Sequence, residues 1–184
     1  MFKTDLKTPF RVQRRQYDTL RILIPETRIP AYIRLFNFIP MTIQQITPES
    51  THFQSVWQLR ETVLRAPLGR SLKNEDLSEE TADCIFGAIE NDVLVGCLFI
   101  RPLPEGRGKL RQMAVAPDYQ GRGIGAALLE AAEGYALDQG MLFLELHARE
   151  TAVNFYTKAG YHISGDRFTE VGIPHLKMIK SLSQ

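Results

Sequence analysis

Between residues 112 and 136 the chain reads QMAVAPDYQGRGIGAALLEAAEGYA, with glycines at 121, 123 and 125 where an apolar run gives way to a long helical pattern. Glycine costs more backbone entropy on folding than any other residue, so three at alternate positions imply a turn that needs left-handed backbone or open space beside it. A turn of that kind, between a strand and a helix start, presents unpaired N–H groups and the positive end of the helix dipole. An anion, above all a phosphate, is the natural occupant. Arg122, between the glycines, is placed to add a charge-assisted contact.

Several phosphate-binding classes fit such a turn. A Walker A loop is excluded, because no Lys-Ser/Thr pair follows the glycines. A dinucleotide reading stays open: Gly121, Gly123 and Ala126 satisfy G-x-G-x-x-A, with Glu145 about twenty residues on. Against it, APDYQ separates the strand from the first glycine, and the chain remaining after the turn is short for a parallel sheet.

The rest of the chain narrows the setting. Its 184 residues, 44% of them hydrophobic and 23% charged, suit one well-buried core. The formal charge of +1 hides an asymmetry: residues 1–40 carry eight Lys/Arg against three Asp/Glu, and residues 41–184 carry fourteen against eighteen. No basic cluster with interleaved aromatics marks the body, so a nucleic-acid partner is not expected. No apolar run approaches the ~20 residues of a membrane span, which argues against a membrane partner. Cys84 and Cys97 lack C-x-x-C spacing, the histidines form no H-E-x-x-H pattern, and no metal is expected. Buried free cysteines fit a reducing cytoplasm.

Residues 1–40 are interrupted by Pro9, Pro25, Pro30 and Pro40 and read as an appended extension, with Met41 as the candidate natural start of a domain over 41–184. Ile43 and Ile46 suit a strand, and Thr47-Pro48 suits the N-cap and first turn of an amphipathic helix reaching about Arg65. A shorter helix is expected around Glu75–Ala82. Two apolar runs split by Asn91 and Asp92 read as a hairpin, and KLRQMAV adds a third meander strand. A helix from Gly125 to Asp138, a strand over MLFLELHA, a helix from Thr151 to Ala159 and a final strand IPHLKMIKSL complete the order. The fold class is mixed α/β (α+β), one central mixed sheet flanked by helices.

QGRGIG, Gln120 to Gly125, resembles the Q/R-x-x-G-x-G/A signature of the GNAT N-acetyltransferases. HARETAVNFYTKAGYH resembles that family's second motif, which ends in A-x-x-x-Y-x-x-x-G-F/Y, and GIPHLKM resembles an element of the ElaA/YjcF-like branch. The resemblance covers about residues 41–180. It implies a splayed sheet, acetyl-CoA as co-substrate, and transfer to a small-molecule or peptide amine without metal or covalent enzyme intermediate. By position, Gln120, Gly121, Arg122, Gly123, Ile124, Gly125 and Ala126 would bind the pyrophosphate. Met113, Ala114 and Val115 would pair main chain with pantetheine, beside a bulge, and Asn154 would hydrogen-bond the same arm. Arg149 stands where many members have an asparagine seven residues before the tyrosine. Homodimers are common in such folds.

The resemblance makes Tyr156 the acid that meets the CoA thiolate, a role a phenol fills while neutral at pH 7. By strand alternation Phe143, Glu145 and His147 share one face, which makes Glu145 and His147 the candidate bases, ahead of His175. A non-catalytic acyl-CoA sensor of the same fold and a nicotinamide-binding protein are the alternatives to an enzyme.

Overall fold

The computed structural model describes residues 41–182; the extension expected over residues 1–40 lies outside them. The apolar runs form strands β1 (Thr42–Ile46), β2 (Cys84–Glu90), β3 (Val93–Leu103), β4 (Arg107–Val115), β5 (Phe143–Arg149), β6 (His162–Glu170) and β7 (Ile173–Ser181). Among the described residues they make one seven-stranded sheet ordered β1-β2-β3-β4-β5-β7-β6. Asn91 and Asp92 turn β2 into β3 with φ of 51° and 61°, the backbone of a type I′ hairpin loop.

Helix α1 (Phe53–Arg60) covers one face of the sheet and α2 (Ile124–Asp138) the other; the short α3 (Val153–Lys158) follows β5. Leu128, Leu129, Ala132 and Ala136 of α2 pack on Leu98, Ile100, Leu110 and Leu144. On the opposite face Val56 of α1 packs with Ile46, Ile85, Cys97 and Phe99. Each fully buried large side chain in these layers contributes about 1.5–3 kcal/mol of transfer free energy. Both cysteines are free and buried, as packing residues.

Three expectations are corrected. The first helix starts at Phe53, not Pro48, because the Ser50 hydroxyl accepts the Thr47 N–H at 2.9 Å and closes a local turn instead. Its end widens into a π-turn over Glu61–Arg65. The helix expected over Glu75–Ala82 is reduced to a 3₁₀ segment at Ser78–Ala82, preceded by an Asx turn in which Asp76 accepts the Ser78 N–H at 2.9 Å. The chain after Tyr161 forms two strands rather than one. HISGDRFTE is β6, an edge strand whose residues are mostly exposed, so it lacks the alternating apolar face that marks a strand in sequence.

Strands β4 and β5 position the site. They are the parallel pair of the sheet and stay together only over Arg107–Leu110 with Phe143–Leu146. A bulge sits immediately beyond, where Gln112 and Met113 oppose the single residue Leu98, and Gln112 takes φ 53°. From there the two strands diverge. A sheet that is otherwise antiparallel removes the dinucleotide reading of the glycines, which needs a mostly parallel, doubly wound sheet.

Candidate active site

The divergence of β4 from β5 opens a cavity of about 960 Å³. At one end lies the glycine turn. Gly121 and Gly123 have φ of 75° and 80°, and a Cβ on either would meet no protein atom within 4 Å. Gly125 is different: it lies inside α2, and a Cβ there would come within 3.1 Å of the Phe155 ring. Two glycines therefore set the turn, and the third lets α3 pack against the start of α2. No side chain caps α2, so its first N–H groups remain directed out of the helix end. The Gln120 side chain bonds back to the Val115 carbonyl at 3.1 Å and braces the turn against β4.

Gln120, Gly121, Gly123, Ile124, Gly125 and Ala126 line the cavity. So do Met113, Ala114 and Val115, which have β3 on one side and no β5 partner on the other. Arg122 lies elsewhere: its guanidinium donates to Glu90 at 2.6 Å and stacks over the Tyr119 ring. Asn154 is exposed on α3 and is not part of the cavity wall. These residues and this helix end fit an extended ligand with a phosphate at one end. The Gly121 and Gly123 Cβ positions are open, the helix start is uncapped, and one edge of β4 is free to pair.

Tyr156, Glu145, His147 and His175 also line the cavity. Tyr156 keeps some accessible surface, but its hydroxyl lies deep, donating to the Met113 sulfur at 3.5 Å. Burial pushes this phenol up to about 12, against a smaller downward pull from the Arg149 charge. It therefore stays neutral and able to donate a proton throughout the physiological range.

The two candidate bases differ. Burial acts to raise the Glu145 carboxyl, but the hydrogen bond and charge of Lys177, with the charges of Lys109 and Arg107, outweigh it and hold the group below its ordinary range. Lys177 sits 2.9 Å away. A carboxylate so neutralised is a weak base. His147 instead has Nδ1 at 2.7 Å from a Glu170 carboxylate oxygen. With the proton on Nδ1, the imidazole donates to Glu170 and Nε2 keeps its lone pair, the arrangement of a base oriented by an acid. His175 is buried, with Nδ1 donating to the Ile173 carbonyl at 3.0 Å, and the Phe168 ring packs against both histidines. Glu170 was not apparent from sequence, because it reaches His147 only through the pairing of β5, β7 and β6.

The Acetyltransferase (GNAT) family matches residues 51–161, more than half of the chain. The chain belongs to this family. Membership makes it an acetyltransferase by class, and its seven-stranded sheet flanked by helices is the family's fold. YjcF of Bacillus subtilis (strain 168), an uncharacterized N-acetyltransferase, is 37% identical over 79 residues, 42% of this chain and 56% of its own. Escherichia coli ElaA shares the fold with a TM-score of 0.68 and 19% identity, over 77% of this chain and 100% of its own. A GNAT family acetyltransferase from Elizabethkingia anophelis, with acetyl-CoA bound, superposes with a TM-score of 0.60 at 19% identity, over 77% of this chain and 98% of its own. The last two likenesses bear on fold alone. Among the described residues no group of three His, Cys, Asp or Glu side chains is gathered as metal ligands, and no helix is long and apolar enough to cross a membrane.

Proposed function

We propose that the chain transfers an acetyl group from acetyl-CoA to a primary amine by direct attack in a ternary complex. The observation that carries this reading is one continuous cavity from the glycine turn, through the gap between β4 and β5, to the Tyr156 hydroxyl and the His147 imidazole. Acetyl-CoA, when bound, supplies an activated acyl thioester. The N–H groups from Gly121 to Ala126 hold its pyrophosphate at the positive end of α2. The free edge of Met113, Ala114 and Val115 pairs with the pantetheine arm as an added strand.

A lysine-like amine is neutral in only about one part in 2,500 at pH 7, so the site must take a proton before or during attack. His147 accepts it at Nε2, directly or through one water, while Glu170 holds the ring in the required tautomer. Tyr156 donates its phenolic proton to the departing thiolate. Direct transfer is also favoured by the cysteines: burial pushes the Cys97 thiol up to about 12 and raises Cys84 as well, so neither is a ready nucleophile.

Release of free thiol from acetyl-CoA, measured with and without added amines, tests the reading. Amine-dependent release is expected, and Tyr156→Phe should lower kcat about a hundredfold while acetyl-CoA affinity holds. Binding of acetyl-CoA without transfer to any amine would make the chain an acyl-CoA sensor instead.

A further inference from the structure

The charges around the far end of the cavity distinguish among amine acceptors. Five cations line the wall: Arg65, Arg101, Lys109, Arg111 and Arg149. Three are neutralised. Arg65 forms a two-pronged pair with Glu75, and Arg101 and Arg111 share the buried carboxylate of Asp83, with Glu79 also on Arg101. Arg149 and Lys109 have no carboxylate within 4.0 Å among the described residues. Of the wall carboxylates, Glu79 is paired with Arg101 and Glu145 with Lys177, while Glu170 accepts from the neutral His147 ring and keeps its charge.

Two unpaired cations against the one charge of Glu170 leave the wall positive, in a body where residues 41–184 hold eighteen Asp/Glu against fourteen Lys/Arg. Lys109 does not serve the phosphate end. It lies six residues before Val115, about 20 Å along β4 from the strand end that leads to the glycine turn. Arg149 stands closer to the transfer point, since its charge reaches the Tyr156 hydroxyl. Arg149 lines the cavity, and among the described residues only one of its five N–H donors is engaged, with the Leu64 carbonyl at 3.4 Å, which leaves donors for a ligand.

We propose that the acceptor is a small amine carrying a carboxylate, as an amino acid does, with Arg149 binding that carboxylate and Lys109 adding long-range attraction. This rests on the acetyltransferase reading above. Guanidinium and carboxylate match in two parallel hydrogen bonds, and a site built for them rejects an uncharged analogue. Cationic acceptors, such as polyamines or lysine-rich peptides, would meet like charge here.

Thiol release by the full chain with acetyl-CoA tests the inference, using the L-amino acids, the matching L-amino acid amides, putrescine and spermidine as acceptors. The acids should exceed their amides at least tenfold in kcat/KM, with the polyamines lowest. Arg149→Gln should raise KM for the acids and leave KM for the amides within twofold; Lys109→Gln should act the same way, more weakly. Amides or polyamines equal to the acids would overturn the inference, as would Arg149→Gln acting alike on acids and amides. Calorimetry separates two kinds of failure: acetyl-CoA binding with no acid accepted refutes the carboxylate inference alone. Absence of acetyl-CoA binding refutes the transferase reading and this inference with it.

Discussion

In the proposed transfer, Tyr156 and His147 would do complementary work because their surroundings differ. The buried phenol holds its proton, whereas the imidazole has a carboxylate on one nitrogen and the cavity on the other. Glu170→Gln should lower kcat by weakening the hold on the His147 tautomer, with little change in the KM for acetyl-CoA. The raised phenol also has a thermodynamic consequence. A group whose pKa rises on folding contributes stability that is fully present below its ordinary value near 10 and is lost as pH climbs through about 12. Thermal unfolding followed from pH 9 to 12 should fall, and Tyr156→Phe should flatten the part of the decline above pH 10. Tyr156 was legible in sequence because it lies in a short motif with local spacing. Glu170 was not, since its partner is 23 residues away and the edge strand β6 that ends in it carries little apolar signal.

At the scale of elements, the glycine turn and the β4 bulge together make the cavity. Gly123→Ala forces a side chain into a left-handed position at a cost of about 1–2 kcal/mol and puts a methyl group where the phosphate end of a ligand would lie. The variant should therefore melt somewhat lower and lose most of its acetyl-CoA affinity, both measurable by calorimetry. The β6–β7 turn carries an opposite opportunity. Val171, a β-branched residue, sits at φ 49° beside Gly172 in a two-residue loop, a conformation asparagine tolerates far better. Val171→Asn should raise the midpoint of thermal unfolding by a few degrees. The strand and helix order was readable wherever apolar periodicity was strong, as in β2, β3, β5 and α2. It failed where polar side chains redirected the backbone locally, at Ser50 before α1 and Asp76 before the 3₁₀ segment. It failed also at β6, whose edge position demands no buried face.

For the molecule as a whole, two apolar layers fix a sheet that is closed at one end of the β4–β5 seam and open at the other. Sequence could anticipate a bulge and a splayed sheet only through family resemblance, because neither the left-handed Gln112 nor the loss of β4–β5 pairing has a local signature in KLRQMAV. In the proposed transfer the same cavity would join the phosphate end to the acceptor end, so a ligand spanning it should stabilise the entire fold. The most direct test is the melting temperature of the purified chain with acetyl-CoA, with NADH as the comparison. Acetyl-CoA at a hundred times its dissociation constant should add about 2.7 kcal/mol, or roughly 5–11 °C for a domain of this size. That rise with acetyl-CoA and none with NADH is the predicted result; no rise with acetyl-CoA, or an equal rise with NADH, would contradict the glycine turn as a site for the CoA pyrophosphate.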